Sequence, residues 1–394
     1  MLGIKDKVAV IGMGCTHFGE LFDKSQEDLV VDSCYEAFED AGIDPKDIDA
    51  AWLGTVDGGN LGSRLNRILK LQYIPVTRVE NLCATGTDAF RNACYAVAAG
   101  ASEMALVCGV EKLKDTGYEG GLGGTLHSKY QNRQEVLTGP PTMFAVRATK
   151  YFETYGLTPE KGKEILAKIA VKNHYNGARS PKAQFQKELT EEQVLKAPII
   201  AAPLGIFDCC GVTDGGAAAI ITTPEKAKEM GKDYVLVKGL GMANNAAQPA
   251  LDDEYEFIHF IENQVASKRA YEQAGITNPR EEVDLAIVHD CFTITELIVM
   301  EDLGFSKEGE AWKDYEDGFF SLDGGLPVNT DGGLKCFGHP LGATGLRMIY
   351  EVYNQLQGRC GERQLKDPKI GLTHNLAGNP DCYCIAISIL GKPE

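Results

Sequence analysis

Across 394 residues there is no Cys-x-x-Cys pair, no apolar run of membrane-spanning length and a shortage of positive charge. Each absence excludes something. Without Cys-x-x-Cys, neither a zinc ribbon nor a thioredoxin-type redox pair is available. The most apolar stretch, 197–207, is broken by Pro198 and Pro203, far short of the roughly 18 residues that a spanning helix needs. Lys and Arg number 39 against 56 Asp and Glu, a formal charge of −17. That balance argues against nucleic acid, whose binding rests on basic surface displacing counterions from phosphates. No Walker or Gly-x-Gly-x-x-Gly signature is present either: Gly120-Gly-Leu-Gly-Gly124 does not follow a strand and open a helix as such loops must. The opening segment runs straight into the strand-like Val8-Ala-Val-Ile-Gly12 without an apolar signal stretch, so the expected location is the cytoplasm.

What is present is ordinary globular material, with 44 % hydrophobic and 24 % charged residues. The length exceeds the usual single-core limit and predicts two compact units or one large layered fold. Twelve cysteines, most of them in apolar runs, fit a chain whose thiols stay reduced. Which of the twelve does chemistry is the useful question.

Strand-like and helical patterns alternate, which predicts a layered α/β architecture. Residues 26–41 read as a helix with Leu29, Val30, Cys34, Ala37, Phe38 and Ala41 on one face, closed by Gly42. Strands are expected near 8–11, 51–55, 76–80 and 104–108. A helix rich in small residues begins near Ala84, ends at Gly100 and is expected to be central and buried. After a long excursion with helical patterns at 143–155 and 160–173, strand character returns at 217–222.

The second half echoes the first. Ala37-Phe-Glu-Asp-Ala-Gly-Ile43 is matched by Ala270-Tyr-Glu-Gln-Ala-Gly-Ile276, and Ala84-Thr-Gly86 by Ala343-Thr-Gly345, in the same order. Each member of the second pair opens a helix. Two ordered matches favour duplication, and the period is too long for a solenoid.

Four places carry chemistry. Cys83 sits between a strand end and a helix start, where unpaired N–H groups and the helix dipole favour thiolate; a buried small hydrophobe is the competing reading. Gly338-His-Pro-Leu-Gly-Ala-Thr-Gly345 presents His339 at the matching point of the second half, where it suits a base beside a nucleophile. His289-Asp-Cys-Phe292 brings a second His and a second thiol, Cys291, to a strand C-terminus, where α/β sites usually lie. His374-Asn375 follows a strand in the same way.

These motifs together resemble the thiolases, most closely the sterol-carrier-protein and archaeal branch. Asn173-His174, Cys210-Gly-Val-Thr-Asp-Gly-Gly-Ala-Ala218 and His374-Asn375-Leu-Ala-Gly378 extend the likeness over nearly the whole chain. The resemblance implies a five-layered αβαβα fold of two duplicated halves plus a loop domain, placed at 1–115 with 205–232, at 233–394 and at 116–204. It implies that Cys83 takes the acyl group, that His339 accepts the thiol proton, and that His289 with His339 holds the thioester oxygen. Cys291 is implied as the acid/base at the α-carbon. Many thiolases keep that thiol in a C-terminal Cys-x-Gly loop, and here Asn375 stands at the matching position. The N–H of Cys83 and that of Ala377 or Gly378 are implied as a second oxyanion hole. The family usually has Gly-Gly after Asn; Ala377-Gly378-Asn379-Pro380 departs from this and bears on the substrate.

The implied reaction is CoA-dependent cleavage of a 3-oxoacyl-CoA or its Claisen reverse, on acetoacetyl-CoA or a bulkier thioester such as benzoylsuccinyl-CoA. Coenzyme A is expected as a substrate, with no metal in the chain. The loop domain holds 12 Lys and Arg against 8 Asp and Glu, a local excess that suits CoA phosphates. A homodimeric core is expected, and relatives of this branch suggest a separate small zinc-ribbon/OB-fold partner. A decarboxylating ketosynthase and a non-catalytic acyl-CoA-binding subunit are the alternatives.

Overall fold

The computed structural model describes residues 3–59, 61–116, 139–246, 255–378 and 382–393. The glycine run at 120–124, most of the unusual 117–139 segment, Asn379 and Pro380 lie outside the described residues. The main strands are β1 (Ala9–Cys15), β2 (Ala50–Gly54), β3 (Val76–Val79), β4 (Met104–Glu111), β7 (Gly215–Thr222), β8 (Val235–Asn244), β9 (Leu285–Val288), β10 (Ile370–Ala377) and β11 (Cys384–Gly391), with a small hairpin of β5 (Ile199–Ala201) and β6 (Leu204–Gly205) apart from them. Among the described residues the nine main strands run in the order β3-β2-β4-β7-β1-β8-β11-β10-β9.

The two halves join where β1 meets β8 through two residue pairs, Ala9 with Leu236 and Val10 with Val235. On either side of that seam the topology repeats. In the first half β2 and β4 are parallel and β7 and β1 antiparallel. In the second, β9 and β10 are parallel and β11 and β8 antiparallel. The place of β3, parallel beside β2, is taken in the second half by a single parallel bridge between Ala286 and Val328. The duplication read from the sequence is therefore a duplication of topology.

Helices complete five layers. Helix α1 (Gln26–Ala41) covers β1 and β7 from outside, burying Leu29, Val30, Cys34, Ala37, Phe38 and Ala41. Helices α2 (Thr85–Ala98), α3 (Pro140–Thr154) and α4 (Pro159–Gly177) follow. Helix α5 (Ile261–Ala274) covers β8 and β11 as α1 covers its own strands. Between the sheet halves lie α2 and α7 (Leu341–Gln357), in contact with each other; α7 touches strands of both halves. The duplicated Ala-Gly-Ile motifs end α1 and α5, with Gly42 at φ 64 and Gly275 at φ 80 as left-handed caps, a conformation cheap for glycine alone. Helices α3 and α4 begin earlier than the apolar pattern suggests because each starts at proline, whose missing N–H costs nothing in a first turn.

The seam between α2 and α7 is built from the second duplicated motif. A Cβ on Gly86 would lie 2.7 Å from the Gly342 carbonyl oxygen, and one on Gly345 would lie 2.3 Å from Thr87 Oγ1. Buried Glu111 at the end of β4 fastens the same seam, accepting from Thr55 Oγ1 at 3.0 Å, Val56 N at 2.9 Å, Asp57 N at 2.9 Å and Gly342 N at 3.0 Å.

Candidate active site

Cys83 occupies a single 3-10 turn, Leu82–Ala84, between β3 and α2. The turn is tight enough to hold Leu82 at φ 47, a region that costs a branched side chain of order 1–3 kcal/mol and that clusters at functional sites. The sulfur is half-buried. The main-chain N–H groups of Cys83 and Gly378 act on the sulfur to favour its charged form. Of the two expected neighbours in the 377–378 loop, it is Gly378, at φ 93, whose N–H acts on the sulfur. Ala377 instead packs its methyl with Ala84, Cys384 and Ala386 beside Cys83.

Burial overrides the dipole. The Cys83 thiol is pushed up to about 12, because desolvation outweighs both N–H groups. Desolvation thus opposes the helix-end effect that favours thiolate, in line with the expectation that His339 accepts the thiol proton.

The base stands ready. One ligand atom each from Cys83, His289 and His339 lies within 4.8 Å of the others, a spacing that would equally suit a thiophilic cation. His339 follows Gly338 (φ 78) at the entrance to α7, held by its N–H bonding the Gly211 carbonyl at 3.0 Å. Its Nδ1 lies 2.8 Å from Thr344 Oγ1. With the Thr344 hydroxyl donating to the Pro340 carbonyl, 3.0 Å away, its oxygen accepts from the ring. Nδ1 must then carry the proton, leaving Nε2 as a bare lone pair. Nε2 is buried and without a partner. Desolvation first, and Arg347 second, push His339 down to about 3, so the ring stays neutral and able to accept.

His289 caps β9, its ring edge-on to His339 with centroids 5.0 Å apart. Asn375 is buried behind it: Asn375 Oδ1 accepts from Thr87 Oγ1 at 2.5 Å, which turns the amide Nδ2 toward His289 Nδ1 at 3.5 Å. With Nδ1 facing a donor, the His289 proton belongs on Nε2, where it can donate to an oxygen in the site. His374 has both nitrogens occupied, Nδ1 with the His289 N–H at 3.4 Å and Nε2 with Asn263 Oδ1 at 2.9 Å. It holds the catalytic loop in place.

Cys291 is buried just before α6 (Thr293–Asp302), its sulfur 3.6 Å from Thr295 Oγ1. Burial pushes this thiol well up too. Cys210 also stands at this site. Its N–H bonds the Cys291 carbonyl at 2.8 Å, and its thiol lies within electrostatic reach of Cys83. The match of its segment to the family motif was the available signal. Cys382 is exposed and precedes β11, whereas Cys384 on that strand is buried. Thr344 and Thr87, which set the tautomers of the two histidines, were also missed; Thr344 lies five residues from His339 in the quoted motif.

Residues 8–225 match the family model described as "Thiolase, N-terminal domain", and residues 243–391 match "Thiolase C-terminal domain-like". The chain is 37% identical over 377 residues to an acetyl-CoA acetyltransferase of Methanothermobacter thermautotrophicus, covering 94% of this chain and 96% of that one. It is 31% identical to human sterol carrier protein 2, covering 98% of this chain and 73% of the relative. Among solved structures, "Ltp2-ChsH2(DUF35) aldolase" is alike with a TM-score of 0.83 at 25% identity, over 99% of this chain and 98% of that one.

Proposed function

The chain belongs to the thiolase family, and on that premise we propose that it exchanges acyl groups between CoA thioesters through an acyl-enzyme on Cys83. The observation that carries this reading is the grouping of the Cys83 sulfur with ring nitrogens of His289 and His339 within 4.8 Å, His339 Nε2 being buried without a partner. In the cleavage direction Cys83 attacks the 3-oxo carbonyl of a 3-oxoacyl-CoA as His339 takes its proton. The N–H groups of Cys83 and Gly378 receive the developing oxyanion. The bond between the carbonyl and the α-carbon then breaks. Its electron pair passes into the thioester as an enolate, whose oxygen His289 and the now protonated His339 hold by hydrogen bonds. Cys291 protonates the α-carbon. A second CoA attacks the acyl-enzyme as its thiol proton passes to the Cys291 thiolate, and Cys83 leaves, taking its proton back from His339.

The substrate reading is acetoacetyl-CoA or a bulkier β-keto thioester such as benzoylsuccinyl-CoA. The names of the archaeal relatives support the former. CoA is assigned to the 116–204 loop domain on its charge, between halves at 1–115 with 205–232 and at 233–394. A homodimer core with a small zinc-ribbon/OB-fold partner is the assembly proposed, supported by the solved complex whose title names a DUF35 component. Purification as a homo-oligomer without zinc or a second subunit would count against that partner.

Cys291 separates this reading from a decarboxylating ketosynthase, which needs no second acid/base thiol. Cys291→Ala should still form the Cys83 acyl-enzyme from acetyl-CoA but lose acetyl-CoA condensation by about 100-fold or more. Retained condensation in the variant, together with turnover of a malonyl thioester, would favour the ketosynthase.

A further inference from the structure

We propose that Cys83, His289 and His339 form a binding site for a single thiophilic divalent cation such as zinc, which inhibits the protein by capping the nucleophile. The metal site itself stands on geometry alone; the inhibition of acyl transfer rests on the thiolase reading above.

The chain carries twelve Cys, seven His and 56 Asp and Glu. Among the described residues, one group alone brings three ligand atoms of these types within 4.8 Å of one another, and it is Cys83, His289 and His339. A sulfur with two imidazole nitrogens is a donor set for zinc and its softer neighbours, whereas magnesium and calcium take oxygens. Ligands around a tetrahedral zinc stand roughly 3.3–3.6 Å apart, so side-chain shifts of about 1 Å close the set. The three ligands come from three separate places: the turn before α2, the end of β9 and the entrance to α7. The fold therefore sets their spacing.

His339 is arranged as metal-bound histidines are, with one ring nitrogen held by a hydrogen bond and the other bare. Its Nδ1 lies 2.8 Å from Thr344 Oγ1, and its Nε2 is buried without a partner. A lone pair that suits a thiol proton suits a cation equally. His289 joins through Nε2 by moving its proton to Nδ1. The Nδ1 contact with Asn375 Nδ2 is 3.5 Å long, the outer limit of a hydrogen bond, and holds the other tautomer only weakly. On binding, the S–H bond of Cys83 breaks, a sulfur–metal bond forms and the proton leaves to solvent. The histidines give lone pairs, and the metal stays divalent. It then occupies both the sulfur electrons that would attack a carbonyl and the nitrogen that would take the proton, so acylation stops until it leaves.

Cobalt(II), whose bond to thiolate gives a charge-transfer band in the near ultraviolet, and zinc are the probes, used in buffer free of thiols. One equivalent of cobalt should produce the band on the native protein; zinc should displace it, and excess magnesium should not. Thr344→Val should weaken cobalt binding by about 10–100-fold, and Cys83→Ala, His289→Ala or His339→Ala by at least as much. Zinc should also shield Cys83 from alkylation by iodoacetamide in the native protein, a readout that needs no variant to fold. A native protein with neither band nor shielding overturns the proposal. So does a band that survives in Cys83→Ala, or cobalt bound as tightly by His289→Ala or His339→Ala as by the native protein. Acetyl-CoA separates the two levels of failure. Zinc should prevent the acetyl adduct on Cys83, and EDTA should restore it; an adduct formed equally fast with zinc bound overturns the inhibition. If the adduct forms and cobalt does not bind, only the metal site falls. If cobalt binds through the three residues and no thioester acylates Cys83, the thiolase reading falls and the metal site stands.

Discussion

At the scale of single residues, the site works by keeping two groups neutral until substrate arrives. Thr344 is the partner of His339 Nδ1, and its hydroxyl, shared with the Pro340 carbonyl, is the group proposed to hold the ring proton there. Thr344→Val removes the acceptor while keeping the volume and should lower kcat by about 10–100-fold. Thr344→Ser keeps the hydroxyl and should retain most of the activity; equal loss in both would show that packing, not the tautomer, is at stake. Cys83, His289, Cys291 and His339 were legible in the sequence because each stands at a strand or helix end among residues that shape the backbone. Their protonation was not legible. It depends on desolvation and on hydroxyl partners brought from other segments, as with Thr87, 288 residues from the Asn375 it orients.

The elements matter as carriers of fixed geometry. A line of hydrogen bonds joins the end of α6 to the catalytic loop. Asp302 Oδ2 accepts from Asn263 Nδ2 at 2.9 Å, Asn263 Oδ1 bonds His374 Nε2, and His374 Nδ1 receives the His289 N–H. His259 bonds the other oxygen of Asp302 at 2.8 Å, and that bond raises it from 6.5 to about 9. A histidine raised on folding stabilises fully below its ordinary value, and the contribution disappears as pH climbs through the folded one. The native protein should therefore exceed His259→Gln in stability by about 1–2 kcal/mol near pH 6, after allowance for screening of this partly exposed pair. The gap should close by about pH 10. Chemical denaturation at both pH values reads it, and a gap that widens with pH would reverse the assigned cause. Helix α1 and the caps at Gly42 and Gly275 were readable from periodicity and punctuation alone. The α3 and α4 starts were not, since proline begins them outside the apolar pattern.

For the whole molecule, duplication is the organising fact. Two Ala-Thr-Gly motifs that open equivalent helices in the sequence become the surfaces on which those helices touch, and that contact brings Cys83 of one half to His339 of the other. Gly86→Ala places a methyl 2.7 Å from the Gly342 carbonyl oxygen and should cost about 1–3 kcal/mol of stability, measured by denaturant unfolding. An unchanged midpoint would mean that the seam has slack. The layering was legible because each half repeats its own helix-and-strand pattern. The seam itself was not, because β1 and β8 join through two residue pairs that no local pattern marks.

The central claim is that Cys83 carries the acyl group. Intact-mass measurement after brief exposure to acetyl-CoA tests it most directly. The account predicts one acetyl adduct per chain, localised to the peptide bearing Cys83, abolished in Cys83→Ala and preserved in Cys291→Ala. No adduct on the native protein, or one that persists in Cys83→Ala, would contradict it.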